Sequence, residues 1–278
     1  MTSKKSKLFY LFILLIGMFF VSCGDNKNTK AQNSLDFIKK EGVLRVGVFS
    51  DKPPFSYINS KGEFDGFDVY IAKRIAKDLL GDSSKIEFIP VEAAARVEFL
   101  KSRKIDLLMA NFTKTKEREE VVDFAKPYMK VSLGIVSENG KIKRISQLKG
   151  KKLIVDKGTT ADFYFTKNHP DIELLKYEQN TDAFLALKTR RAEALAHDNT
   201  LIFAWAKQNP PFAVGMDSIG DQDVIAPAVR KGEKEFLQWL DDEITQLTES
   251  GFMKEAYDAT LRPFYGSEIK PEVVIFEK

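Results

Sequence analysis

The chain has 278 residues, with 43 lysines and arginines against 40 aspartates and glutamates, and 44% of its residues are hydrophobic. A charge so near balance excludes a nucleic-acid binder or a polybasic membrane reader, since both need a strong positive excess. The length provides for one large domain or two small ones around a sizeable core.

In chain order, Lys4, Lys5 and Lys7 form a positive start and Leu8 to Val21 an apolar run. That run is shorter than the roughly 20 residues a bilayer core needs, so residues 1–22 read as a secretory signal and not as a span. Without those three lysines the mature part balances at 40 basic against 40 acidic residues. Cys23 is the only cysteine. It follows Phe20-Val21-Ser22 and precedes Gly24, the arrangement of a bacterial lipoprotein signal, with Phe20 where leucine is usual. A thioether-linked lipid on Cys23 is expected to hold the protein at a membrane surface, which leaves no thiol for a disulfide. Residues 23–34 are polar and read as a flexible tether, so structure is expected from about Leu35.

Val43 to Phe49 reads as a strand closed by the Pro53-Pro54 breaker. Ala72, Ile75, Ala76, Leu79 and Leu80 recur at the spacing of one helical face, which predicts a helix over 68–80 closed by Gly81. Strands follow at 86–91 and 105–109, with a helix over 96–101 between them. The pattern repeats with strands at 131–136, 152–155, 172–177 and 194–196 and helices at 161–167, 181–189 and 200–207. A last strand at 224–229 precedes a helical end from Glu233 to about Leu261. Such alternation implies parallel strands joined by crossover helices, in two α/β lobes.

Ligands in open α/β sheets sit beyond the carboxyl ends of the strands, so three strand ends carry the chemistry. After 105–109 come Asn111, Thr113, Thr115 and Arg118. A carboxylate needs a two-donor fork with hydroxyl or backbone donors, which Arg118 and Thr113 can supply; a capping threonine before a solvated helix explains the same residues. After 152–155 come Asp156, Lys157, Gly158, Thr159 and Thr160 at a helix start. Such a start favours an anion, and ordinary capping by Thr159 explains it equally well. After 194–196 come His197 and Asp198, where the carboxylate can bind an ammonium group or cap the next helix.

These segments stand in the order and spacing of the polar amino-acid binding proteins of ABC importers. The chain resembles that family at Leu44-Arg45-Val46-Gly47, Pro53-Pro54-Phe55-Ser56-Tyr57, Gly66-Phe67-Asp68-Val69, Ile105-Asp106-Leu107-Leu108, Glu117-Arg118, Val122 to Tyr128, Gly158-Thr159-Thr160 and His197-Asp198, across roughly residues 35 to 265. The resemblance implies a two-lobed periplasmic-binding-protein fold of type II, with two crossing hinge strands near 129–136 and 224–229. It divides the chain into lobe 1 (35–131 and 225–278) and lobe 2 (132–224). It implies that Arg118 and Thr113 bind the ligand's α-carboxylate, with Thr159 and Thr160 adding donors. Asp198 then receives the α-ammonium, with Asn111 beside these groups. Tyr57 and Phe49 are candidates to contact the side chain. Closure of the lobes presents the surface read by the permease and ATPase subunits.

Lys52 and Ala93 stand where many relatives place an aromatic platform, and Arg96 stands where acidic amino-acid binders keep an arginine for the side chain. The strings around Asp51 to Phe55, Glu92 to Leu100 and Ala196 to Leu201 look most like the cysteine-binding branch. The expected ligand is therefore free L-cysteine, with glutamate or aspartate as the alternative and a structural Arg96 as a further one. The protein is expected as a monomer, lipid-anchored in the periplasm or on the outer face of the cytoplasmic membrane, or at the cell surface.

A dehydratase-like enzyme on the same fold would need an acid or base in the cleft. Only His169 and His197 are present as histidines, and no glycine-flanked serine elbow occurs, so no catalytic residue, metal site or cofactor is assigned. A surface adhesin is the remaining rival.

Overall fold

Residues 34–277 are described by the computed structural model. The signal, most of the tether and Cys23 lie outside the described residues. The first half runs α1 (Ser34–Glu41), β1 (Leu44–Val48), β2 (Asp51–Lys52), β3 (Ser56–Ile58), β4 (Phe64–Asp65), α2 (Phe67–Leu80), β5 (Ile86–Pro90), α3 (Arg96–Lys101), β6 (Leu107–Leu108), α4 (Lys116–Glu119) and β7 (Val122–Phe124). There follow β8 (Met129–Glu138), β9 (Lys152–Asp156), α5 (Thr160–Asn168), β10 (Glu173–Tyr177), α6 (Asn180–Lys188), β11 (Ala194–Asp198), α7 (Asn199–Gln208), β12 (Phe212–Ile225), β13 (Ala228–Arg230) and α8 (Lys234–Glu249). Short helical turns then lead to Pro271–Val274.

The strands form two five-stranded sheets, β5-β1-β6-β13-β7 and β10-β9-β11-β8-β12, and a small sheet β2-β3-β4. β1 is parallel to β5 and β6, and β9 is parallel to β10 and β11. These are the crossover pairs that the alternation of strand and helix demands. β8, β12 and β13 run antiparallel to their neighbours. Two lobes result, each an α/β layer structure on its own sheet.

The α2 helix shows why the chain folds this way locally. Ile71, Ala72, Ile75 and Ala76 are buried on its inner face, each large apolar side chain contributing about 1.5–3 kcal/mol. Gly81 ends it in the left-handed conformation and donates its N–H to the Lys77 carbonyl, a turn that only glycine adopts at little cost.

Two connections join the lobes side by side. Met129 and Lys130 at the start of β8 pair with Ile225 and Val224 at the end of β12. Just before them Ala125 N–H donates to Pro227 O at 2.9 Å and Tyr128 N–H to Ile225 O at 3.0 Å. The strand expected at 224–229 is thus two strands, broken at Ala226-Pro227, where proline has no N–H for a ladder. β12 itself escaped the sequence reading. Its register shifts between Val214 and Met216, Met216 and Ile219, and Ile219 and Asp223, so bulges erase the alternation by which strands are recognised. No helix among the described residues is long and apolar enough to cross a membrane.

Candidate functional site

The ends of β6, β9 and β11 and the β2 strand bring a cluster of polar and charged side chains together between the two sheets. Lys52, Arg96, Asn111, Thr113, Arg118, Asp156, Thr159, His197 and Asp198 are all buried. Burial of so many charges is costly unless they are paired or bonded, and the pairing is incomplete.

Arg118 is placed by the short helix α4, whose cap Thr115 accepts the Arg118 N–H at 3.3 Å. Its Nη1 donates to the Thr113 carbonyl at 2.7 Å and its Nη2 to the Gly158 carbonyl at 3.1 Å. Its guanidinium lies 4.4 Å from the centre of the Phe112 ring. The Nε and the second hydrogens of both Nη atoms have no acceptor among the described residues. Burial brings this arginine down to about 10. A guanidinium with a free fork and no carboxylate is ready for one.

Arg96 is held more fully. Its Nε donates to Ala93 O at 2.9 Å, Nη1 to Ala110 O at 3.1 Å and to Asn111 O at 3.5 Å, and Nη2 to Gly158 O at 3.3 Å. It sits over Phe112 at 4.6 Å and Phe49 at 5.5 Å. Burial and then the neighbouring Arg118 charge hold it well below the usual arginine range.

Opposite lies Asp198 at the end of β11. Its Oδ2 is 3.5 Å from Lys52 Nζ and its Oδ1 accepts the Thr160 hydroxyl at 3.5 Å. Burial pushes this carboxyl up, but Lys52 and the other cations more than offset that and the net shift is downward. Lys52 in turn is held below the usual lysine range by burial, against the pull of Asp198. Its ammonium lies 5.0 Å over the Phe49 ring. Both contacts to Asp198 are long, so a better donor such as an α-ammonium can displace them.

The remaining expected residues divide. The Thr159 hydroxyl is already committed, donating to Asp156 O at 2.6 Å and accepting from Asp162 N–H at 3.3 Å. Asn111 adopts a left-handed backbone with φ of 44°, and its N–H donates to Asp68 Oδ2 at 2.8 Å. Its Oδ1 is buried without a donor. Tyr57 stands apart. It pairs across the small sheet with Asp51 and Asp65, while Lys52 pairs with Ser56. Tyr57 and Lys52 therefore project to opposite faces, and the Tyr57 ring meets Phe264 edge-on at 6.2 Å.

Sequence reasoning missed Phe112, Asp68 and Asp156. Phe112 reads as one more core aromatic, although it is the platform under both arginines. Asp68 reads as a helix-start acid, although it is buried at a bond to Asn111 and another to Tyr128 Oη at 2.7 Å. Asp156 reads as part of a cap.

The two sides of the site are in contact. Gly158 has φ of +77°, and a Cβ there would lie 2.7 Å from Ala94 Cα, so only glycine allows the approach. Gln179 donates to Glu92 at 2.8 Å, and Asn180 Nδ2 and Thr181 N–H donate to Asp51 at 3.0 and 3.1 Å. Among the described residues no group of three or more histidine, cysteine or acidic side chains is arranged to hold a metal ion.

Comparison with known proteins gives a consistent result. The model of the bacterial extracellular solute-binding proteins, family 3, matches residues 44–262. The solute receptor for L-cysteine of Neisseria gonorrhoeae is similar at 54% identity and a TM-score of 0.86, over 87% of this chain and 99% of that one. The cysteine-binding protein of Campylobacter jejuni is similar at 52% identity and a TM-score of 0.87, over 88% of this chain and 100% of that one. The ABC transporter glutamine-binding protein of Bacillus subtilis is 31% identical over 239 residues, 85% of this chain and 87% of that protein.

Proposed function

The chain belongs to the bacterial extracellular solute-binding proteins, family 3, and on that premise we propose that it is the substrate-binding subunit of an ABC importer for an amino acid, with L-cysteine as its ligand. The observation that carries the reading is the pair of buried, incompletely satisfied opposite charges. Arg118 has free donors for an α-carboxylate, and Asp198 has only long contacts to give up for an α-ammonium. A free amino acid satisfies both at once.

Arg96 favours cysteine over an acidic amino acid. Its bonds to four carbonyls leave little donor capacity for a second carboxylate. The likeness to proteins described as cysteine-binding at 52 and 54% identity supports the same choice. Closure of the lobes around the ligand signals the permease and ATPase. The protein acts outside the cytoplasm as a monomer, tethered by a lipid on Cys23.

A thermal-shift panel of amino acids under reducing conditions tests the ligand, because a ligand that binds only the native state raises its melting temperature. Cysteine is expected to give a larger shift than glutamate or aspartate at equal concentration. A larger shift with glutamate, abolished by Arg96→Ala, overturns the cysteine reading and favours the acidic one.

A further inference from the structure

Asp156 closes β9 and is 2% exposed, and neither oxygen of its carboxylate receives a hydrogen bond among the described residues. Its backbone carbonyl accepts the Thr159 hydroxyl and N–H. Beside it stands His197, whose Nε2 lies 3.2 Å from Oδ2 but out of line for a hydrogen bond. His197 Nδ1 accepts the Asp198 N–H at 2.6 Å, so the ring's remaining proton is on the Nε2 that faces Asp156. Parallel pairing of β9 with β11, at Leu195 opposite Ile154, sets His197 beside Asp156. Asp156 thus ends β9 two residues before the Gly158 carbonyl that meets Arg96 and Arg118 and beside the His197 that precedes Asp198, which puts it at the cleft end of the sheet. The Asn180 Oδ1 is likewise buried without a donor.

A buried acceptor without a donor is rare and calls for a cause. Asp198 and Arg118 account for the backbone ends of an amino acid, and beside the amide oxygens of Asn111 and Asn180 the charged acceptor at the cleft still without a donor is Asp156. We propose that Asp156 reads the ligand's side chain: it accepts a hydrogen bond from a small donor, the cysteine thiol, and turns away a second carboxylate by charge. The inference rests on the amino-acid reading above and adds the residue that selects among amino acids.

The test compares L-cysteine with L-alanine, which differs from it by the thiol, in wild type, Asp156→Asn and Asp156→Ser by calorimetry under reducing conditions. Alanine affinity reports the backbone ends alone, and the melting temperature of each unliganded variant checks its fold. Wild type is expected to prefer cysteine by about tenfold or more, the size of one hydrogen bond to a charged acceptor. Both variants are expected to bring that ratio close to one, and Asp156→Asn to gain measurable aspartate or glutamate binding. An unchanged ratio in folded variants that still bind alanine overturns the proposal and leaves the amino-acid reading standing. Wild type that binds no amino acid overturns both.

Discussion

Arg96 and Arg118 direct their Nη2 atoms at one acceptor, the carbonyl oxygen of Gly158, at 3.3 and 3.1 Å. Both arginines belong to segments after strands of the first sheet, and Gly158 follows β9 of the second, so one carbonyl is shared by two like charges across the cleft. The Phe112 ring under both of them, and its partner Phe124 stacked at 5.1 Å, supplies the negative face that such a pair needs. The repulsion that remains is relieved by an anion. Arg118, which commits two N–H groups where Arg96 commits four, has the free donors to receive one as a fork.

Arg118→Ala is therefore expected to weaken amino-acid binding by roughly a hundredfold, the cost of losing a charged hydrogen-bonding partner worth about 3 kcal/mol in a closed site. Arg118→Lys restores charge without the fork and is expected to recover only part. Asp198→Asn should cost a similar factor. Calorimetry that gives near-normal affinity for both Arg118→Ala and Asp198→Asn removes the assignment of the two ends.

Gly158→Ala tests closure. Its Cβ would sit 2.7 Å from Ala94 Cα on a backbone with φ of +77°, so the variant meets a clash and strain together. Affinity is expected to fall about tenfold or more, and the ligand-saturated protein should keep a larger radius of gyration than wild type in small-angle scattering. Wild-type affinity with a wild-type radius would show that the two lobes do not need this approach.

Much of the frame was legible because burial leaves a period in the sequence. The 96–101 helix and the α2 face carry their apolar residues at helical spacing, and Gly81 marks its own turn. β12 was not legible, since Gly215, Asp217, Gly220, Asp221 and Asp223 interrupt any alternation and its order comes from pairing with β8. Arg118 and Asp198, proposed for the two ends of the ligand, follow strands and are reached by that rule. Asp156 cannot, because nothing local separates it from a capping acid; its isolation appears only when β9 and β11 are in register. The face that Tyr57 takes was not legible either, since in so short a strand it turns on a one-residue choice of register.

Cys23→Ser is expected to release or mislocalise the protein without changing its ligand affinity, because every residue proposed for the ligand lies at Phe49 or beyond in the chain. Fractionation of cells and the mass of the mature N-terminus check it. An unaltered membrane fraction for the serine variant, with no lipid mass on the wild type, refutes the anchor.

The last expectation concerns pH and the link behind the site. Asp68 is fully buried and accepts the Tyr128 hydroxyl and the Asn111 N–H. It thereby ties the hinge segment to the strained residue at the strand end, whose carbonyl also meets Arg96. Burial pushes the Asp68 carboxyl up to about 7 against the opposing effect of those two hydrogen bonds and of Lys52. An unfolded aspartate titrates near 3.9, so between about pH 4 and pH 7 the native state holds a proton that the unfolded chain has released. The unfolded state then binds fewer protons, and stability falls as pH rises through that window. Asp68→Asn has no proton to lose, keeps an acceptor for Asn111 and offers an amide to the Tyr128 oxygen. Urea midpoints at pH 5 and pH 7.5 should therefore drop more for wild type than for Asp68→Asn. Equal drops would place the titration elsewhere. Asp68→Ala, which strands both donors, is expected to cost about 2 kcal/mol or more at either pH.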